Sequence, residues 1–229
     1  MIGGTRGLGL ELARAAHVLG ARVTVGGRDR EVADEAARSV GEECRANVCD
    51  LTDWSSIETF ISACGPIDHL ILTAVDRDVR PLTDYRPEES ARAILMKTVG
   101  YATAIHHALP RFRPNASVVM FGGLSAWRPA PGSTTLSTAN SAIIGLMNSL
   151  ALEVAPVRVN TIVPGAVGDS AATLNAPPEN RGAFEALRTR TPTRRLVTTK
   201  NVVAATFALL DNDGINALPL VVDGGIIRT

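Results

Sequence analysis

The sequence lacks an excess of charge of either sign. Its 23 Lys and Arg side chains balance 23 Asp and Glu side chains, so the formal net charge at pH 7 is zero. We therefore expect no broad basic field that would hold nucleic acid or an anionic membrane surface. This absence favours a small-molecule ligand and predicts neither a nucleic-acid partner nor a membrane partner.

Cysteine is scarce as well. Cys44, Cys49 and Cys64 are odd in number and form no Cys-x-x-Cys pair, so the sequence indicates neither a disulfide framework nor a zinc site, and we expect no metal. The opening residues, from Met1 to Arg6, lack the apolar core of a signal peptide. We therefore expect a cytoplasmic protein with ordinary buried thiols.

Charge is also missing from one long stretch, Pro129–Leu152. A membrane-spanning helix of this length would be predominantly apolar. This stretch instead contains Pro131, Gly132, Asn140 and Asn148 among several Ser and Thr residues. We interpret it as a buried loop and helix.

Short β-branched runs alternate with longer segments rich in Ala and Leu. Such alternation implies right-handed crossovers and a parallel sheet covered on both faces. The predicted fold is α/β, a single doubly wound Rossmann-type domain with a central parallel sheet over residues 1–229. The predicted strands are Arg22–Val25, Asp68–Thr73, Ser117–Phe121, Val157–Val163 and Pro219–Val222, and the predicted helices are Gly7–Leu19, Asp29–Val40, Asp53–Ala63, Pro87–Leu109, Ser137–Val154 and Asn201–Leu210.

One segment, Pro164–Pro192, shows neither pattern. It is rich in Pro, Asn, Thr and Ala, which predicts a long irregular region. Long loops inside compact domains often act as lids over a ligand. The alternative is a mobile loop with no specific role.

A glycine cluster stands directly before the first predicted helix. In Gly3-x-x-x-Gly7-x-Gly9, glycine allows a tight turn and lets the backbone approach a pyrophosphate at the helix N-terminus. At the end of the next strand, where NAD-binding folds place a carboxylate, this chain has Arg28.

Arginine at this point favours a phosphate. Arg6 and Arg28 together predict two guanidinium groups on the 2′-phosphate of NADP(H). The alternative is that Arg28 is a surface residue at a helix start, paired with Asp29 or Glu31.

These motifs, together with later landmarks in the same order, resemble the short-chain dehydrogenase/reductase family over nearly the whole chain. The segment from Ala155 to Asn160, the Pro131-Gly132 pair before a helix, and the segment from Val222 to Gly225 all match family motifs. The resemblance implies an NADP(H)-dependent oxidoreductase for a small carbonyl or alcohol substrate. The implied cofactor-binding residues are Gly3, Thr5, Arg6, Gly7, Leu8, Gly9, Arg28, Asp50, Leu51, Ala74, Pro164, Gly165 and Val167.

The Asp50-Leu51 pair resembles the family's adenine-contacting pair. Its structural alternative is an exposed N-cap for the helix that starts near Asp53.

Two departures from the family concern the sheet. Only Met1 and Ile2 precede the glycines, where the family has about five residues, and strands are rarely shorter than about three. The first strand is therefore expected to be truncated as recorded. Either the recorded start codon lies too far downstream, which we favour, or the central strand is truncated and the fold is compromised. The family's Asn-Asn-Ala-Gly is replaced by the segment from Leu72 to Val75, which puts local packing beside the cofactor in doubt.

More serious departures fall on the catalytic positions. Spacing places Lys97 at the family's asparagine, Gly123 at its serine, Leu136 at its tyrosine and Asn140 at its lysine. Leucine cannot ionise, glycine has no side-chain donor, and a neutral amide cannot depress a neighbouring pKa as an ammonium does. The family's proton relay is therefore not expected in this chain.

A rewired relay is possible on four candidate residues. Lys97 is expected to project toward the place of the usual lysine head, and Tyr101 lies one helical turn further on. Asp76 and Ser125 follow two strands, at the edge where ligands bind in such sheets. The alternatives are that Lys97 pairs with a carboxylate and that Tyr101 packs in the core.

Three functions remain open on this pattern. The first is an NADP(H)-dependent oxidoreductase with an altered relay, the second a non-redox isomerase or cyclase, and the third a catalytically silent NADP(H)-binding or partner-binding protein. The small, uncharged residues of Ser137–Val154 also predict burial against another subunit, hence a homodimer or homotetramer. The alternative is that this helix is buried within the monomer.

Overall fold

The computed structural model describes residues 1–175 and 178–229, and strands and helices alternate along the chain as predicted. The strands are β1 (Thr24–Gly27), β2 (Arg45–Val48), β3 (Ile67–Leu72), β4 (Phe112–Phe121), β5 (Arg158–Pro164) and β6 (Pro219–Val222). The helices are α1 (Gly7–Val18), α2 (Arg30–Val40), α3 (Trp54–Ala63), α4 (Pro87–Leu95), α5 (Tyr101–Ala108), α6 (Thr134–Glu153), α7 (Ala171–Leu174), α8 (Pro178–Arg190) and α9 (Thr199–Asp211).

The strands form one parallel sheet whose two parts meet at Ile2. β1 pairs with β2, and β3, β4, β5 and β6 pair in that order, all in parallel. Ile2 forms parallel bridges to Gly26 in β1 and Leu72 in β3. Its N–H donates to the Ile71 carbonyl at 2.9 Å, and its own carbonyl accepts from Thr73 N–H at 2.9 Å.

These backbone bonds bear on the expected truncation of the first strand. Gly26 N–H donates to the Met1 carbonyl at 2.8 Å, and Gly3 N–H donates to the Gly26 carbonyl at 2.9 Å. Met1, Ile2 and Gly3 therefore occupy the place of a central strand and connect the two parts of the sheet. The described fold is the predicted doubly wound α/β fold.

Helices cover both faces of the sheet because successive residues of each strand point to opposite sides. In β4, Val118 and Met120 pack with residues of α3, α5 and α6. Val119 and Phe121 pack on the other face, with residues of α1 and α9. The carboxyl ends of all the strands consequently meet at one edge of the sheet.

Most of the predicted irregular region Pro164–Pro192 is helical, so that prediction is wrong. α7 and α8 lie within it, and residues 176 and 177 lie outside the described residues. Pro178 is the first residue of α8. Proline fits this position because the first N–H of a helix has no hydrogen-bond partner within the helix. Pro178 therefore marks a helix start.

The uncharged stretch Pro129–Leu152 forms a surface loop followed by α6. The helix buries Ile143, Met147 and Leu150 against the sheet, whereas the loop residues Pro129 and Pro131 are exposed. The predicted helix is present, but the predicted burial of the loop is wrong. Among the described helices, none is long and apolar enough to cross a membrane.

Arg158 at the start of β5 is a buried structural cation. Its guanidinium donates to the carbonyls of Leu209 at 2.8 Å, Leu210 at 2.6 Å and Ile215 at 3.0 Å. The first two carbonyls belong to the last turn of α9, where backbone acceptors have no partner within the helix. Arg158 therefore anchors the C-terminus of α9 to the sheet.

We expect Arg158→Met to lower the free energy of unfolding by roughly 2–4 kcal/mol, because it leaves buried carbonyls without donors. Urea denaturation measures the change. Arg113 is a matched control, since its exposed guanidinium lies 3.9 Å from Asp68 and Arg113→Met should cost less than about 0.5 kcal/mol. Equal losses in the two variants would contradict the anchoring role of Arg158.

Candidate active site and cofactor cleft

The glycine cluster forms a closely packed turn at the carboxyl edge of the sheet. Gly3 and Gly7 adopt φ values of +86° and +54°, which disfavour other residues. A Cβ on Gly3 would lie 2.5 Å from the backbone nitrogen of Ala74, so a side chain there would clash. Gly9 is buried in the first turn of α1.

The N-terminus of α1 is left open to an anion. Arg6 is the N-cap residue of α1, and within the described residues it makes no side-chain capping bond. The first amides of a helix have no partner inside the helix, so they are available to a phosphate. A Cβ placed on Gly7 would meet nothing within 4 Å, which leaves room for a ligand at this point. The turn therefore fits a dinucleotide pyrophosphate.

Thr5 and Leu8 support this turn from within. A Cβ on Gly27 would lie 2.6 Å from Thr5 Cγ2, so Thr5 packs directly against the end of β1. Leu8 is partly buried against the core cluster that α1 and α9 share. Both side chains position the glycine turn.

Arg28 follows β1 and is about half exposed. Its Nη1 lies 3.9 Å from Asp76 Oδ2, across the cleft. Asp29 instead caps α2 by accepting from Val32 N–H at 3.0 Å. The alternative that Arg28 pairs with Asp29 or Glu31 is therefore wrong for the described structure.

The side chains of the Asp50-Leu51 pair contact other parts of the protein. Asp50 Oδ1 accepts from Thr52 N–H at 2.9 Å and from Thr52 Oγ1 at 2.7 Å. The N-cap of α3 is Asp53, so the proposed N-cap role does not fall on Asp50. The Leu51 side chain is buried in the core, which leaves its backbone as the part nearest to a ligand.

The turn after β5 forms the other end of the cleft. Pro164 is the last residue of β5, and Gly165 N–H donates to the Val222 carbonyl at 2.9 Å. A Cβ on Gly165 would lie 2.8 Å from Asp223 Cβ, which explains why glycine is needed there. Val167 pairs with Val197, and among the described residues no hydrogen bond leaves its N–H.

A chain of hydrogen bonds, buried at Lys97 and partly buried at Ser125, crosses the expected catalytic positions. Lys97 is 2 % exposed, and its Nζ donates to Asn140 Oδ1 at 2.6 Å. Asn140 Nδ2 in turn donates to Ser125 Oγ at 2.9 Å. An ammonium only donates, so it fixes the orientation of the Asn140 amide and leaves the Ser125 hydroxyl proton free for another acceptor.

Burial, together with the smaller effect of the nearby Arg77 cation, lowers the pKa of Lys97 to about 7. Among the described residues, Lys97 has no carboxylate partner, so the alternative of a Lys97 ion pair is wrong. Because a buried ammonium without a counter-ion is costly in free energy, a larger fraction of Lys97 is the neutral amine near neutral pH. Lys97 therefore changes charge within the physiological range.

Gly123 and Leu136 border this chain. A Cβ on Gly123 would lie 2.5 Å from Asn140 Nδ2, so a serine at Gly123 would collide with Asn140 as it is placed here. Leu136 lies half-buried in the first turn of α6. The missing serine and the presence of Asn140 are thus sterically linked.

Tyr101 does not join Lys97. Its hydroxyl donates to the Ala74 carbonyl at 2.7 Å, and burial raises its pKa. A π-helical turn over Met96–Gly100 includes Lys97 and ends just before Tyr101. Residues four apart therefore do not lie on one face here, as they would in an α-helix. Tyr101 lies in the core, as its structural alternative expects, and it fixes the segment after β3.

Asp76 lies beside Arg28 and Arg92 and is not part of the hydrogen-bonded chain. Arg92 Nη2 donates to Asp76 Oδ2 at 2.6 Å, and Arg28 approaches the same oxygen. Of the four candidate catalytic residues, Lys97 and Ser125 are brought together through Asn140. Tyr101 and Asp76 are not.

Sequence reasoning missed two features of the site. Asn140 was expected only as a lost lysine, although Lys and Asn standing at each other's usual positions signal a compensating exchange. A buried cluster around Asp78 was also missed: Asp78 Oδ2 accepts from Ser90 Oγ at 2.8 Å and Thr135 Oγ1 at 2.7 Å. These bonds join the segment after β3 to α4 and α6.

A family model described as enoyl-(acyl carrier protein) reductase matches residues 3–227, nearly the whole chain. The chain belongs to the short-chain dehydrogenase/reductase family. The resemblance given by the sequence motifs is thereby confirmed, and so is the Rossmann-like fold.

Individual relatives agree over the same span. A tropinone reductase-like 3 from Erythroxylum coca is 28% identical over 96% of this chain and 89% of its own length. The reductase/Diels-Alderase MalC from Malbranchea aurantiaca superposes with a TM-score of 0.91 at 22% identity, covering 100% of this chain and 95% of that one. An actinorhodin polyketide ketoreductase solved with NADPH gives a TM-score of 0.89 at 22% identity, covering 100% and 96%.

Lys97 should make the stability of this reductase-family protein depend on pH. Its pKa is lowered in the folded protein, so the unfolded chain binds more protons between about 7 and the ordinary lysine value. The free energy of unfolding should therefore rise with pH across that range. From about pH 7 to about pH 9, native protein should gain roughly 1–2 kcal/mol relative to Lys97→Met, measured by urea denaturation.

Lys200 provides the control, because it is the other lysine of the chain and is exposed. Lys200→Met should follow the native pH dependence. Parallel curves for native protein and Lys97→Met would contradict the lowered pKa of Lys97.

Proposed function

We propose that this chain is an NADP(H)-dependent oxidoreductase acting on a small carbonyl or alcohol substrate through a rewired relay. The observation that carries the proposal is the chain of hydrogen bonds from Lys97 through Asn140 to Ser125. Gly122 N–H donates to the Ile162 carbonyl at 2.9 Å, so the segment carrying Ser125 lies beside the end of β5. The relay and the turn at Pro164 thus share one edge of the sheet.

The cofactor proposal rests on the open glycine turn and on Arg28. The bare N-terminus of α1 would hold the pyrophosphate, Arg28 and Arg6 the 2′-phosphate, and the Val167 N–H the carboxamide. The related ketoreductase was solved with NADPH. When bound, NADP(H) supplies a hydride to the carbonyl carbon or accepts one from the alcohol.

The residues of the chain supply the polar half of the reaction. The Ser125 hydroxyl donates a hydrogen bond to the substrate oxygen, where negative charge develops, and bulk water supplies the proton that converts the resulting alkoxide to the alcohol. Asn140 cannot pass a proton in its ordinary amide form, so it transmits orientation and polarisation from Lys97. Lys97 is therefore a positioning residue, and it acts through its charge on Asn140 and Ser125.

NADPH-dependent reduction of an activated diketone tests this assignment. Ser125→Ala and Lys97→Met should each lower kcat by about 10²-fold, because each removes part of the stabilisation of the developing oxyanion. Calorimetry should show unchanged NADPH affinity in both variants. Lys200→Met should leave kcat unchanged.

The pH profile separates a positioning role from a structural one. Native kcat should fall as pH rises through about 7, because the pKa of Lys97 is lowered to about 7 and the ammonium is lost there. Lys97→Met should lose this inflection. A native profile without an inflection near neutrality, or one retained in Lys97→Met, would refute the relay.

A non-redox ring-forming or isomerising activity is the second candidate. Leu136 is a half-buried apolar residue at the family's tyrosine position, which removes the usual proton donor. The solved neighbour MalC is described as a reductase and a Diels-Alderase, so this fold accommodates both chemistries in that protein. Tight NADPH binding without NADPH consumption would favour this candidate, or a silent binding protein, over the oxidoreductase.

We also propose a symmetric dimer or tetramer formed through α6 and the neighbouring α4–α5 segment. Leu152 is 83% exposed, and Leu95 and Val99 are 42% and 43% exposed on the adjacent segment. Apolar side chains in such positions favour burial against a second copy.

Light scattering at micromolar concentration should give at least twice the 24.1 kDa chain mass. Leu152→Glu combined with Val99→Glu should shift the protein toward monomer, because two carboxylates would be buried in the contact. Leu174→Glu is the control, since Leu174 is exposed on α7, which is not part of the proposed contact. A native monomer would overturn the assembly proposal.

A further inference from the structure

We propose that in the free protein the Asp76 carboxylate binds Arg28 where the cofactor's 2′-phosphate would bind it. Asp76 then competes with the phosphate for Arg28, and so limits how strongly the site prefers a 2′-phosphorylated nucleotide. The inference rests on the cofactor proposed above. It assigns to Asp76 a role in cofactor specificity in place of the catalytic role expected from its position after β3.

The sheet brings the two side chains to opposite sides of the glycine turn. Arg28 directly follows β1, and Asp76 follows β3, while Ile2 pairs with both strands from between them. Gly3 packs on the Ala74 backbone, and Thr5 packs on Gly27. Arg28 and Asp76 therefore meet across the turn that is proposed to hold the nucleotide.

The contact between them is weak enough to be exchanged. Arg28 Nη1 and Asp76 Oδ2 are 3.9 Å apart, and both side chains are more than a third exposed, so solvent screens their attraction. A phosphate monoester carries more negative charge than a carboxylate and presents oxygens that match a guanidinium fork. It can therefore replace Asp76 as the partner of Arg28.

The Asp76 carboxylate stays in the cleft when a phosphate binds Arg28. Arg92 Nη2 binds the same Asp76 oxygen at 2.6 Å, which holds the carboxylate from the side of α4. Two residues further on, Asp78 is buried and bonded to Ser90 and Thr135, which fixes the segment that carries Asp76. An incoming 2′-phosphate thus meets both a competitor for Arg28 and a retained negative charge.

Calorimetry with adenosine 2′,5′-bisphosphate and with AMP isolates this effect without any redox turnover. Asp76→Asn should raise the affinity for the bisphosphate about fivefold and change the affinity for AMP less than about twofold. In an Arg28→Ala background the same substitution should give less than half of that gain, because Arg28 is no longer there to be released.

Asp68→Asn is the matched control. Asp68 lies near the amino end of β3, its carboxylate is 3.9 Å from Arg113, and both of these side chains are exposed. The substitution removes the same charge at the opposite end of β3, away from the cleft. It should change neither affinity by more than about 1.5-fold.

An unchanged or lower bisphosphate affinity in Asp76→Asn would overturn the inference, as would an equal gain for AMP or a full gain without Arg28. Failure of every form to bind either nucleotide would overturn both this inference and the cofactor proposal. The expected pattern of affinities in a protein without reductase activity would support the role of Asp76 while contradicting the oxidoreductase function.

Discussion

The pairing of the Ile2 backbone with β1 on one side and β3 on the other is the constraint on which the rest of the site depends. We call this pairing the sheet seam. Its bridges to Gly26 and Leu72 join two parts of the sheet through backbone hydrogen bonds. Because the strands run parallel, the seam also brings the ends of β1 and β3 to either side of the glycine turn. The cleft, the Arg28–Asp76 contact and the open N-terminus of α1 follow from this arrangement.

At the proposed catalytic end, lysine and asparagine have exchanged places between two helical segments. Lysine stands on the helical segment before α5 and asparagine on α6, the reverse of the family pattern, and the two side chains bond directly. The exchange keeps one amine in the site but buries it without a carboxylate partner among the described residues. Burial therefore lowers the pKa of Lys97 toward neutrality, and the space at Gly123 accommodates Asn140.

The sequence predicts most of the strands and helices, because hydrophobic periodicity is a local property that the parallel sheet preserves, but β2 is missing from the predicted strands. It also predicts the glycine turn and Arg28 at the end of β1. It does not predict the partner of Arg28, because Asp76 lies far along the chain and meets Arg28 only across the sheet seam. α-Helical spacing places Tyr101 on the same face as Lys97, but the π-helical turn before Tyr101 changes that spacing. The composition around Pro178 predicts a loop, although Pro178 begins α8.

Deuterium transfer tests the central claim, a redox site served by Lys97, most directly. Native protein is incubated with an activated diketone and NADPH that carries deuterium at nicotinamide C4, using each stereoisomer in turn, and the product is analysed by mass spectrometry. The account predicts deuterium on the new carbinol carbon from one stereoisomer, with at least about tenfold slower transfer in Lys97→Met. Product that forms without deuterium from either stereoisomer, or equal transfer in Lys97→Met, would contradict it.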